Sequence, residues 1–231
     1  MLSGQVQEIK RLNMDKAITG NPANKEKKFS DIVIPRILNY LKVVQQLERE
    51  NKITILSEEL SKKTNISAFL IRKDLANFGR IGQPGMGYEV SRLKNYLLDI
   101  IGGKEMCNLA IAGVGNLGSA LLNYKGFEEE GLKFVAAFDK GEGKIGKICG
   151  NVIVEHVDNM KESVKKNNVH IGIIAVLADA AQMTADKFIE AGVYSLLNFA
   201  HVAIIVPQEV TLRNVDLSIE LKALRYFSVN R

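Results

Sequence analysis

The chain has 231 residues, of which 46% are hydrophobic and 25% charged, the balance of a soluble globular protein with one large or two small domains. It holds no apolar run long enough to span a membrane, no basic start followed by an apolar stretch, two cysteines without CxxC spacing and three dispersed histidines, so a membrane protein, a secreted protein, a disulfide scaffold and a metal site are not expected. Charge is uneven: residues 1–102 carry 17 Lys/Arg against 11 Asp/Glu, whereas residues 103–231 carry 14 against 15, and a positive excess confined to the first part suggests a polyanionic partner, nucleic acid first.

Residues 1–30 are polar and irregular, broken by Gly20, Asn21, Pro22 and Asn24, and read as a loosely ordered tail. From Ile34 the pattern turns helical. Ile34, Ile37, Leu38, Leu41, Val44 and Leu47 recur at three and four residues and make one apolar face. The helix ends at Asn51-Lys52, and Ile53-Thr54-Ile55 forms a short β-branched run. Ser57 is expected to cap a short second helix to Lys63, with Glu58 and Glu59 at the positive end of its dipole. After the turn Lys63–Ile66, Ser67 caps a third helix through Phe78 to Gly79. Ile71, Leu75 and Phe78 face inward on it; Phe69, Arg72, Lys73 and Ala76 face outward.

Two short helices joined by a tight turn, after a longer one, match a helix-turn-helix. Its recognition helix would present Ser67, Phe69, Arg72 and Lys73 to DNA, with Arg72 reading guanine and Lys73 meeting a phosphate. A three-helix bundle with an exposed basic helix is the plainer alternative. The next stretch, Gly79–Tyr88, has four glycines in ten residues, which permits tight reversal. It reads as a hairpin wing carrying Arg80 towards the DNA backbone or minor groove.

A second domain opens with the buried run Leu109–Ala112, leading into Gly113-Val114-Gly115-Asn116-Leu117-Gly118 and a helix with Leu117, Ala120, Leu121 and Tyr124 on one face. A lone GxGxxG is weak evidence, but here it lies between a strand and a helix, as a dinucleotide loop requires. Gly113 makes the tight turn, Gly115 admits the pyrophosphate, and Gly118 lets helix and strand pack closely. The strand Lys133–Phe138 ends in Asp139, placed to bind the ribose hydroxyls of NAD(H) and to repel a 2′-phosphate. Lys140 and Lys144 lie nearby. Other candidate cofactor positions are Lys144, Val176 and Asn198. Strands at Val152–Val154, Ile171–Val176 and Ser195–Leu197 alternate with helices at Asp158–Lys166 and Ala180–Ala191, which implies a parallel sheet with right-handed crossovers. The amphipathic segment Leu217–Phe227 follows the completed sheet and suggests a partner subunit.

Hydride transfer needs an acid/base group near the nicotinamide. His156 and His201 have no evident partner in sequence, and no separate substrate domain exists. A nucleotide sensor fits better than a small NAD-dependent dehydrogenase with a basic oligomerisation domain, which stands as the alternative. A Rossmann domain serving only as a dimerisation scaffold, or binding AMP or NADP(H), is a third reading.

The chain also resembles the Rex family of redox-sensing transcriptional repressors from about Ile34 to Phe227. The resemblance is carried by Ile71-Arg72-Lys73-Asp74-Leu75, Phe78-Gly79, Gly85-x-Gly87-Tyr88, the Gly113–Gly118 loop, Leu197-Asn198-Phe199 and Asn214-Val215-Asp216-Leu217. It implies an α/β protein of two domains: a winged helix-turn-helix over 31–101 and a Rossmann-type NAD(H)-binding domain over 104–215. A C-terminal helix over 216–231 would be exchanged between subunits of a homodimer. It further implies a cytoplasmic repressor that holds palindromic operator DNA and releases it when NADH binds. The positions matching the family's switch are Lys42, Tyr124 and Asp216; Lys42 replaces an arginine found in some relatives. Pro84 stands at a wing position that is often basic, leaving Arg80 as the only wing cation, and His201 stands where proline is common.

Overall fold

The computed structural model describes residues 32–77, 79, 81–82, 85–102 and 106–230. The expectations for the tail 1–30, Phe78, Arg80 and Pro84 lie outside these. The chain divides into two compact units, one ending at Ile101 and the other starting at Gly102.

In the first unit, α1 (Val33–Arg49), β1 (Thr54–Ile55), α2 (Ser57–Thr64), α3 (Ala68–Ala76), β2 (Tyr88–Glu89) and α4 (Val90–Ile101) follow in order. The α1 side chains Ile37, Tyr40, Leu41, Val44 and Leu47 are buried with Leu60 of α2, Ile71 and Leu75 of α3, and Leu93 and Leu97 of α4. Each fully buried aliphatic contributes roughly 1.5–3 kcal/mol. Of the expected α1 face, Ile37, Leu41, Val44 and Leu47 are buried, whereas Leu38 is 46% exposed and Ile34 stays outside the buried core; Tyr40, not expected there, is 0% exposed. Ser67 caps α3 as expected, its Oγ accepting the Leu70 N–H at 3.3 Å. Ser57 does not cap α2: Leu56 holds that position, and the Glu59 carboxylate accepts the Leu56 N–H at 3.2 Å.

Three further differences are found here. The third helix stops at Ala76 rather than running to Phe78. The glycine-rich segment does not close on itself among the described residues; its return strand β2 pairs antiparallel with β1, Thr54 opposite Glu89 and Ile55 opposite Tyr88. The wing is thus stemmed on a strand that precedes α2, and Gly87 (φ +76) is required there, since a Cβ would meet the Ile55 carbonyl oxygen at 2.5 Å. Finally, Val90–Ile101 forms a helix, α4, that is absent from the expected elements.

The second unit is a seven-stranded sheet of order β5-β6-β4-β3-β7-β8-β9. The strands are β3 (Cys107–Ala112), β4 (Leu132–Asp139), β5 (Ile148–Cys149), β6 (Val152–His156), β7 (Ile171–Ile174), β8 (Ser195–Asn198) and β9 (Thr211–Asn214). All pairs are parallel except the edge ribbon β5–β6. Helices α5 (Asn116–Leu122), α6 (Gly126–Glu129), α7 (Met160–Lys166), α8 (Ala178–Glu190) and α9 (Leu217–Val229) complete the unit. The chain winds outward from β3 through β4 to β6, then returns to β7 on the other side of β3. This is the doubly wound order whose reversal opens a crevice at the carboxyl ends of β3 and β7.

The helix after the glycine loop is shorter than expected. It ends at Leu122, where Asn123 Nδ2 donates to the Ser119 carbonyl at 2.7 Å. Its inner face is Gly118 and Leu122, not Leu117, Ala120 and Tyr124. Helix α9 buries none of its residues: Leu217, Ile219, Leu221, Leu224, Tyr226 and Phe227 are each more than 60% exposed.

Candidate nucleotide cleft and nucleic-acid interface

The crevice is a cleft of about 350 Å³ lined by Gly113, Gly115, Asn116 and Leu117 from the glycine loop and by Asp139, Lys140 and Lys144 after β4. Ala175 to Leu177, one side of α8 from Asp179 to Lys187, and Val157 and Met160 complete the lining. The volume and the mostly apolar wall suit a small-molecule site.

Each glycine of the loop has a separate physical reason. Gly113 has φ +96, and a Cβ there would stand 2.3 Å from the Ala175 carbonyl oxygen. A Cβ on Gly118 would stand 1.9 Å from the Gly113 carbonyl oxygen, so this position fixes how closely α5 approaches β3. Gly115 differs: a Cβ would meet nothing within 4 Å. Its open side is the space a dinucleotide pyrophosphate would take, so the residues present fit NAD(H).

Asp139 is 8% exposed. Its Oδ2 accepts the Val114 N–H at 2.8 Å and Lys144 Nζ at 3.0 Å, and its Oδ1 accepts the Gly141 N–H at 2.8 Å. Burial pushes its pKa up, but the Gly141 amide, Lys144 and the Val114 amide outweigh it, and the carboxylate lies below its ordinary range. It is ionised at neutral pH and keeps lone-pair capacity for a hydroxyl donor.

Of the ten sequence-predicted cofactor positions, Gly113, Gly115, Asn116, Leu117, Asp139, Lys144 and Val176 line the cleft. Val114 is buried and acts through its amide on Asp139. Gly118 lies beneath the loop. Asn198 is 1% exposed and committed to its own loop: Nδ2 donates to the carbonyls of Ala200 and Val202 and to Asn214 Oδ1, while Oδ1 accepts the Ala200 N–H. Val157 and Met160 after β6, and Ala180, Met183 and Thr184 of α8 after β7, are not legible as site residues in the sequence. The strand order β6-β4-β3-β7 is what places them beside the glycine loop.

In the first unit, Phe69, Arg72 and Lys73 are exposed on α3 and Ser67 heads it. Arg72 is held: Nη1 donates to Ser57 Oγ at 2.7 Å and Glu58 Oε1 at 2.8 Å. Asp74, absent from the expected site, is 2% exposed and receives Arg36 and Tyr40 of α1. A carboxylate flanked by Ile71 and Leu75 on the inner face of a helix requires such partners. Each of the three switch positions has its own local setting. Lys42 is exposed on α1. Tyr124 lies beyond α5, 61% exposed, with its ring edge-on to Phe127 at 5.1 Å. Asp216 caps α9, accepting the Ser218 N–H at 2.8 Å, and stands 3.2 Å from His201 Nδ1. Among the described residues no group of three or more His, Cys, Asp or Glu is gathered for a metal, and no helix is long and apolar enough to cross a membrane.

Comparison with known proteins gives a consistent picture. Residues 28–76 match the family described as "Putative DNA-binding protein N-terminus", and residues 104–202 match "CoA binding domain". The "Redox-sensing transcriptional repressor Rex" of Pelotomaculum thermopropionicum is 40% identical, over 88% of this chain and 96% of its own. Among solved structures, RSP in complex with β-NAD+ and operator DNA superposes with a TM-score of 0.82 at 37% identity, covering 87% of this chain and 93% of that one. RSP with β-NADH gives 0.78 at 35% identity, covering 87% and 94%.

Proposed function

Because this chain belongs to the Rex family of redox-sensing transcriptional repressors, we propose that it binds operator DNA through its first unit and NAD+ or NADH in the cleft of its second, and that reduction of the nucleotide pool releases the DNA. It is a regulator, not an enzyme, and the dehydrogenase alternative finds no support among relatives named as repressors. The observation that carries the reading is the coexistence in one chain of a winged helix-turn-helix with an Asp139-ended cleft at the topological switch point.

In this reading Ser67, Phe69, Arg72, Lys73 and Arg80 meet the DNA. Gly113 to Gly118, Asp139, Lys144 and Val176 meet the nucleotide, and Asn198 positions the loop after β8. A second copy of the chain covers the exposed apolar residues of α9, so the protein binds as a two-fold dimer to half-sites related by a palindrome. Lys42, Tyr124 and Asp216 exchange partners as the dimer changes state. The test is a mobility-shift titration of operator DNA at fixed salt across NADH/NAD+ ratios. Affinity that falls as NADH rises supports the reading, and affinity independent of the ratio overturns it.

A further inference from the structure

We propose that Lys144 sets how strictly the adenosine end of the cleft separates a 2′-hydroxyl from a 2′-phosphate, and that NADPH is consequently a second, weaker ligand of this protein. The inference rests on the nucleotide reading above and extends it to ribose selectivity.

A carboxylate after the second strand of a Rossmann unit accepts ribose hydroxyls and repels a 2′-phosphate. Here that carboxylate is not bare. Lys144 Nζ lies 3.0 Å from Asp139 Oδ2, with the lysine side chain 45% exposed against 10% for the aspartate. The positive charge is therefore the outer member of the pair. With two lone pairs per oxygen, Oδ2 is filled by Lys144 and the Val114 amide, while Oδ1, bonded to the Gly141 amide, keeps one place for a hydroxyl.

The loop holds this arrangement. The Lys144 N–H donates to the Gly141 carbonyl at 2.9 Å, the Lys147 N–H to the Lys144 carbonyl at 3.1 Å, and the Gly146 N–H to the Val154 carbonyl at 2.8 Å. A Cβ at Gly141 would stand 3.1 Å from Asp139 Oδ1 and 4.0 Å from Lys144 Cδ, so glycine there keeps one side of the pair clear. Lys140 and Lys187 also line the cleft, with Asp179 as the other carboxylate; Lys187 is engaged with Asp158 at 2.8 Å. A 2′-phosphate brought to Asp139 meets the Lys144 ammonium beside it, with Lys140 on the same loop. The repulsion that would exclude it is largely offset, while a hydroxyl keeps its acceptor.

The test is calorimetric titration of the full chain with NADH and with NADPH, in the unaltered protein and in Lys144→Met, Lys144→Arg and Asp139→Asn. The unaltered protein is expected to bind both, NADPH more weakly. Lys144→Met widens the gap by about tenfold, mainly through lost NADPH affinity, the size of one partly screened charge contact. Lys144→Arg keeps the original ratio, and Asp139→Asn narrows it. An unchanged ratio in Lys144→Met, or unaltered protein that binds NADH and shows no NADPH binding at millimolar concentration, overturns the proposal. Unaltered protein that binds neither nucleotide overturns instead the nucleotide reading beneath it.

Discussion

Arg36 grips Asp74 through two nitrogens, Nε on Oδ2 and Nη2 on Oδ1, each at 2.7 Å, while the Tyr40 hydroxyl donates to Oδ2 at 2.8 Å. The inner face of the recognition helix is thereby fastened to α1 by charge as well as by packing. Burial pushes the Asp74 pKa up, yet the bonds from Arg36 and Tyr40 prevail and it lies below its ordinary 3.8. A depressed carboxylate stabilises the fold above the unfolded pKa and loses that contribution as pH falls through the folded one. Urea unfolding should show the first unit weakening below about pH 4, and Asp74→Asn should flatten that limb. Asp74→Ala, which leaves Arg36 and Tyr40 without their partner, is expected to cost about 3 kcal/mol.

The glycine loop offers a contrast between two similar substitutions. Gly118→Ala places a methyl on the Gly113 carbonyl, so α5 must retreat; a loss of about 2 kcal/mol, with weakened NADH binding, is expected. Gly115→Ala meets no protein atom and needs no unusual φ, the observed value being −84. It should melt at the original temperature and still lose about tenfold or more in NADH affinity, because the methyl fills the pyrophosphate space. Thermal melts beside calorimetry separate the two cases.

The two halves of the molecule differ in how far they could be read from residues alone. The Gly113–Gly118 loop and Asp139 are legible because turn geometry and strand ends impose specific residue types. Leu38 is exposed and Tyr40 buried because the stripe centres near Val44: at about 100° per residue Leu38 falls beyond one edge and Tyr40 on the opposite flank, where a pattern of aliphatic residues alone does not register a tyrosine. The β1–β2 stem was hidden since Thr54 and Glu89 are far apart in sequence and each strand is two residues long. Strand β9, Thr211–Asn214, lies at the sheet edge with three of its four residues exposed, so it carries no apolar signature. Helix α4 carries no start signal although Val90, Leu93 and Leu97 keep helical spacing, because it begins directly on β2 with no intervening turn. The Asp74 partners were not visible, since Arg36 on α1 reads as an ordinary solvated residue.

On the DNA side, Arg72 and Lys73 should separate by the character of their loss. Arg72→Ala is expected to relax discrimination at one guanine by roughly 1–3 kcal/mol, whereas Lys73→Ala weakens all sequences alike and lowers the salt slope by about one. Uniform loss in Arg72→Ala would assign it to the backbone instead. Glu58→Ala leaves the Arg72 guanidinium with the Ser57 hydroxyl and removes a negative charge beside it, so operator affinity should rise while the melting temperature stays nearly unchanged, both ion-pair partners being half exposed or more.

The apolar face of α9 predicts the oligomeric state. Leu221→Asp together with Leu224→Asp puts two charges where a partner would pack, and sedimentation velocity should show a monomer in place of a dimer. The melting temperature of the second unit's sheet should be little changed, because α9 buries none of its residues within its own chain.

The strand order has a consequence for assembly on the ribosome. Strand β3 sits at the centre of its sheet, and its neighbour β7 arrives late in synthesis, Leu109 waiting for Ile171 and the Gly113 turn waiting for Ala175. The helical unit, whose pairings close within residues 33–101, is complete before that strand emerges. Non-local parallel pairing is also the slower process. Each new molecule therefore passes through an interval in which its recognition helix is formed and its nucleotide cleft is not.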